Sequence, residues 1–139
     1  MNSIQSMNRA ADNIRILAAS MVEKAKSGHP GGAMGGADFI NVLYSEYLQF
    51  DPKNPTWMGR DRFFLDPGHM SPMLYAQLAL IGKFSMEELQ QFRQWGSPTP
   101  GHPEVCYERG IENSSGPLGQ GHAYAVGAAI AAKFLSART

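Results

Sequence analysis

Only one short run in this chain reads as a buried β-strand: Arg62-Phe63-Phe64-Leu65, bounded by turn signals. Around it, hydrophobic periodicity predicts five helices. A lone strand cannot satisfy its own backbone, because its N–H and C=O groups need ladder partners. A strand followed by a crossover helix belongs to an α/β domain with a parallel sheet. The expected fold class is therefore α/β, and the 139 residues are expected to be a truncated, helix-rich piece of it. Such a piece should expose apolar surface where further strands would pair, and so self-associate or be marginally stable.

The helices follow from spacing. Ile14, Leu17, Ala18, Met21, Val22 and Ala25 form one stripe and predict an amphipathic helix over 7–26, stopped by Gly28 and Pro30. Five glycines in ten residues follow, from Ser27 to Gly36. A second helix is expected from about Gly36 to Leu48, with Phe39, Val42, Leu43 and Tyr47 on its apolar face. Asp66-Pro67-Gly68-His69 is a turn, and Pro72 suits the start of a helix carrying Leu74, Leu78 and Ile81. Ser85 and Glu88 fit a capping box for a short helix to about Arg93. Residues 96–121 form a long loop rich in Gly, Pro and Ser, a length that usually signals function or disorder. The last helix, about Gly119 to Ser136, is rich in Gly and Ala and is expected to be buried. Trp57 and Trp95 read as core or interface anchors.

Charge excludes some functions. Twelve Lys+Arg balance twelve Asp+Glu, and the basic residues are scattered, so neither nucleic acid nor an acidic membrane is an expected partner. Cys106 is the only cysteine, which rules out an internal disulfide and a cysteine-rich metal site. No run approaches the roughly 18 apolar residues of a membrane span, and Met1-Asn2-Ser3-Ile4-Gln5 does not open a signal peptide. A soluble, cytoplasmic protein is the expectation.

All four histidines follow glycine: His29, His69, His102 and His122. Glycine lets backbone approach a ligand, and imidazole donates, accepts or exchanges a proton near neutral pH. Three such loops brought together would make a polar pocket for a hydroxylated or phosphorylated ligand. Each pair alone reads rather as an ordinary turn with an exposed histidine. No histidine pair has metal-ligand helical spacing and no Cys-x-x-Cys occurs, so no metal ligands are assigned. Gly116-Pro117-Leu118-Gly119-Gln120-Gly121 leads into a helix, whose free N–H groups favour phosphate. It matches neither the dinucleotide fingerprint nor the Walker motif, and a tight turn for close helix packing explains it as well. Cys106 reads as a packing residue.

Taken in order, these segments resemble one family. Ser27-Gly28-His29-Pro30-Gly31-Gly32, Arg60-Asp61-Arg62-Phe63 with Gly68-His69, Thr99-Pro100-Gly101-His102-Pro103-Glu104 and Gly116-Pro117-Leu118-Gly119-Gln120-Gly121 are similar to the start of transketolases, from about Asn8 to Ala137. The resemblance implies that residues 1–139 are a partial N-terminal diphosphate-binding domain. It implies transfer of a two-carbon ketol unit between ketose and aldose phosphates in the pentose phosphate pathway, by a homodimer using thiamine diphosphate and Mg²⁺ or Ca²⁺. His29 and His102 match catalytic histidines lining the sugar channel. His69 matches a contact to the diphosphate region, and Gly116, Pro117 and Leu118 match the stretch packing on the cofactor rings. Asp66-Pro67 stands where Ser-Asn or Ser-Lys is commoner, and His122 where Leu or Ile is usual. Asp66 is thus expected to perturb its loop, and His122 to add a polar group at the cofactor's edge. The Gly-Asp-Gly metal element and the glutamate that activates the aminopyrimidine do not occur, so the chain alone is expected to be inactive. The rival readings are the N-terminal subunit of a split transketolase-like enzyme and a non-catalytic binding module.

Overall fold

The computed structural model describes residues 2–138. Met1 and Thr139, the ends of the expected domain, lie outside them. Helix α1 (Ile4–Ala25) starts earlier than its apolar stripe because Ser3 caps it, its hydroxyl accepting from the Ser6 N–H at 3.1 Å. Lys26, in the left-handed region at φ 50°, ends it. The buried stripe is Ala11, Ile14, Ala18 and Met21, with Leu17, Val22 and Ala25 packed beside it.

The glycine-rich stretch contains a helix that its composition hides. Pro30 opens α2 (Pro30–Gly35), its fixed φ suited to the first turn. After Gly36, α3 (Ala37–Val42) follows and relaxes into a π-helical turn, Leu43–Tyr47. The expected apolar face is corrected here. Phe39, Val42 and Tyr47 are exposed, while Ala37, Ile40 and Asn41 are buried. The Asn41 side chain donates to the Met7 carbonyl at 3.0 Å, fastening this face to α1.

Helix α4 (Ser71–Leu80) is the centre of the molecule. Every residue from Ser71 to Ala79 is buried, with α1, α2, α3 and α5 (Met86–Leu89) around it. Burying each large apolar side chain contributes roughly 1.5–3 kcal/mol. The expected capping box is present on α5: Ser85 and Glu88 satisfy each other's backbone N–H at 3.2 and 2.8 Å. Cys106 packs against the core and bridges Ile111.

The expected strand does not form. Among the described residues there is no strand, only the isolated Cys106–Ile111 bridge. Side chains stand in for the missing ladder. The Asn113 amide accepts from the Leu65 N–H at 3.0 Å and donates to the Leu65 carbonyl at 3.3 Å. Beside it, buried Arg60 grips buried Glu112 with two hydrogen bonds, 2.6 and 3.2 Å, and Arg62 adds a third at 3.0 Å. The run that reads as a strand is therefore clamped by residues 112–113 of the long loop.

The last helix, α6 (Gln120–Ser136), is also corrected: only Gly121 within it is buried. Small residues permit close packing but do not supply a neighbour, and one face of α6 borders an open groove with Arg62 and Phe64 on its far side. Trp95 is fully exposed rather than an anchor within the chain, and Trp57 is partly exposed. Among the described residues no helix is long and apolar enough to cross a membrane.

Candidate active site

Three loops deliver three histidines to one place. His29 caps the start of α2 with extended backbone and no side-chain capping bond. His69 lies in the 3-10 turn (Gly68–Met70) leading into α4. Their rings stand 4.7 Å apart, tilted by 57°. His102 reaches the same point over Gly68. A Cβ on Gly68 would stand 3.1 Å from the His102 ring and collide with the Ser115 hydroxyl, so any side chain there would displace Ser115.

The His102 loop is held from beneath by α4. Ser71 donates its hydroxyl to the Gly101 carbonyl at 2.7 Å, and Tyr75 donates to the Pro100 carbonyl at 2.9 Å. Thr99, fully buried, donates to the Glu88 carbonyl at 2.9 Å. Arg93 bridges two of the loops: its guanidinium donates to the Ser27 hydroxyl at 2.9 Å and packs directly on Gly101. Ser71, Tyr75 and Arg93 carry no sequence signal of their own, because each works through contacts distant in the chain.

Electrostatics favour neutral imidazole at His102. Burial pushes its pKa below the ordinary histidine value, and the Arg93 charge, with His69 and His29, pushes the same way. A neutral imidazole offers one donor and one acceptor, which suits orienting hydroxyl groups.

The glycine-rich turn comes to the edge of this cluster. The Ser115 N–H donates to the Pro103 carbonyl at 3.1 Å, tying the turn to the His102 loop. The Ser115 hydroxyl is buried and lacks a hydrogen-bond partner among the described residues. The space around Gly116 is open, and Leu118 holds its apolar side chain 75% exposed. An orphaned hydroxyl, room beside the backbone and an exposed apolar wedge are what a ligand with both polar and ring parts would use.

His122 does not join the cluster. It pairs with Asp66, whose carboxylate also accepts from the Gly119 N–H. Among the described residues no three His, Cys, Asp or Glu are placed to hold a metal ion.

Known proteins are similar to this chain in sequence and fold. The chain is 54% identical to "Transketolase-1, chloroplastic" of Arabidopsis thaliana over 134 residues, covering 95% of this chain and 18% of the relative. A solved transketolase from Leishmania mexicana superimposes with a TM-score of 0.86 at 46% identity, over 94% of this chain and 19% of that one. A transketolase from Pichia stipitis, solved as a complex with sedoheptulose-7-phosphate, gives 0.79 at 44% identity, over 83% and 17%. The chain thus spans about a fifth of the length of the curated relatives it matches. Residues 6–139 match the family model described as "Transketolase, thiamine diphosphate binding domain", and the chain belongs to that family.

Proposed function

We propose that this chain is the N-terminal part of the diphosphate-binding domain of a transketolase, which moves a two-carbon ketol unit from a ketose phosphate to an aldose phosphate. The observation that carries the proposal is the convergence of His29, His69 and His102 beside the Ser115–Leu118 turn. The sugar-phosphate assignment draws on the Pichia stipitis relative, whose complex contains sedoheptulose-7-phosphate.

In this reading His29 and His102 hydrogen-bond the hydroxyls of the donor sugar near the carbon–carbon bond that breaks. Their value is orientation: imidazoles held by packed loops fix the substrate before reaction. His69 faces the diphosphate, Gly116 and Pro117 let backbone come close to the cofactor rings, and Leu118 packs against them. Thiamine diphosphate, when bound, supplies the thiazolium that stabilises an acyl-anion equivalent. Mg²⁺ or Ca²⁺ would be held by residues outside these 139, since no Gly-Asp-Gly occurs among them. The segment Arg62–Leu65 would be one edge of a parallel sheet whose other strands also lie outside. Completion of the site by a second copy in a homodimer, and a cytoplasmic location, complete the proposal.

Calorimetric titration of thiamine diphosphate with Mg²⁺ tests it. The 139-residue chain should bind weakly or not at all, and the full-length protein tightly. Micromolar binding by the 139 residues alone would show that the site is not incomplete. In the full-length protein, His102→Ala should lower kcat/KM for a ketose phosphate by about 10²-fold or more, the usual size for a positioned acid–base or orienting group.

A further inference from the structure

The Asp66 carboxylate sits at a seam. It follows Leu65, which Asn113 clamps, and precedes the Gly68-His69 turn. Its side chain is only 7% exposed, whereas that of His122 is 81% exposed. Both carboxylate oxygens accept from the Gly119 N–H, at 3.0 and 3.2 Å, and Oδ2 lies 2.6 Å from His122 Nδ1. Gly121 completes the contact. A Cβ there would stand 2.6 Å from both the Leu65 carbonyl and the Asp66 Cβ, so α6 begins in direct contact with this segment.

We propose that Asp66 and His122 form a coupled positioning pair that sets the Gly116–Gly121 turn against the segment carrying His69. The proposal rests on the reading of that turn as cofactor-facing. Gly119 is the residue directly after Leu118, and its N–H points into the Asp66 carboxylate. Fixing that N–H fixes where Gly116, Pro117 and Leu118 stand relative to His69. A nearly buried carboxylate needs compensation, and His122 supplies it from the first turn of α6. The positive end of the helix dipole acts in the same direction.

The two residues are therefore not independent. With His122 removed, the carboxylate keeps one backbone donor and is under-compensated. With Asp66 removed, the Gly119 N–H loses its acceptor. The double change Asp66→Asn with His122→Leu keeps an acceptor for Gly119 and leaves no carboxylate to compensate. The pair should show strong non-additivity.

Four forms of the full-length protein test this: wild type, Asp66→Asn, His122→Leu and the double variant. Thiamine diphosphate affinity with Mg²⁺ and amide exchange at Gly119 and Gly121 are measured on each. His122→Leu should weaken affinity about tenfold and speed both amides by a similar factor, as loss of a charge-assisted hydrogen bond implies. The double variant should recover to within about threefold of wild type. A thermal midpoint that falls in His122→Leu with unchanged cofactor affinity would make the pair merely structural and overturn the proposal. Additive losses in the double variant would overturn the coupling. If wild type itself binds no thiamine diphosphate, the functional reading of the turn fails, and exchange alone decides the pair: unchanged Gly119 protection in His122→Leu overturns it.

Discussion

Helices α4 and α6 look alike in sequence and stand in opposite surroundings. Both are short of charge, and neither shows a clear polar face. Helix α4 is enclosed by four other helices and supports the His102 loop through Ser71 and Tyr75. Helix α6 meets the Leu65–Asp66 segment at its start, through Gly119, Gly121 and His122, and leaves Tyr124, Val126, Ile130 and Phe134 exposed. An apolar helix is thus a statement about what it needs, not about what this stretch of chain provides.

The largest expected effect tests the enclosed helix. Tyr75→Ala should cost about 3–5 kcal/mol in denaturant unfolding of the chain, through the cavity left by a fully buried ring. Tyr75→Phe should cost only about 1 kcal/mol, the hydrogen bond to Pro100. Equal costs would mean that burial of the ring contributes little to the packing around α4.

A smaller effect should appear at the loop that α4 carries. The folded state holds the His102 pKa below the ordinary value, so it disfavours the protonated form. The associated stability is complete above about pH 6.5 and is lost as pH falls below it toward the folded value. Because His102 is largely open to solvent, the change is small. Histidine proton NMR should show His102 titrating below the range of an unfolded control, and Arg93→Met should move it back upward.

The smallest effect belongs to α6. Ile130→Ser and Phe134→Ser should change unfolding free energy by no more than about 0.5 kcal/mol, because neither side chain is buried within the chain. The same substitutions should reduce self-association in sedimentation experiments, since they remove exposed apolar surface. A stability loss comparable with that of Tyr75→Ala would erase the contrast between the two helices.

What could be read from the sequence divides along the same line. Local signals were legible: the stripe on α1, Pro72 at the start of α4 and the Ser85–Glu88 capping box each depend on near neighbours in the chain. The histidine positions were legible as chemistry, but their meeting depends on how α2 and α4 pack. The face of α3 is ambiguous in the sequence because Phe39 and Ile40 are adjacent and apolar, so six residues present an apolar group on either side. Packing on α1 and α4 chose Ile40. The roles of Ser71, Arg93 and Ser115 were not legible, because common polar residues acquire them only through long-range contacts. Asp66 and His122 each stood out singly. Their pairing across 56 positions needed the fold.

The Asn113 amide, held at both ends by Leu65, has a consequence for chemical ageing. Asn113 precedes Ser114, and a small following residue eases the ring closure by which asparagine deamidates. That closure requires the side-chain carbonyl carbon to swing onto the Ser114 nitrogen. Here the carbonyl oxygen and the amide nitrogen are both engaged by one backbone unit, and the residue is buried. The folded chain should therefore keep Asn113 intact while the unfolded chain loses it. A carboxylate formed at 113 could accept from the Leu65 N–H but not donate to its carbonyl. Damage suffered while unfolded would then leave the strand-like segment with half of its substitute ladder, a chemical record of time spent out of the native state.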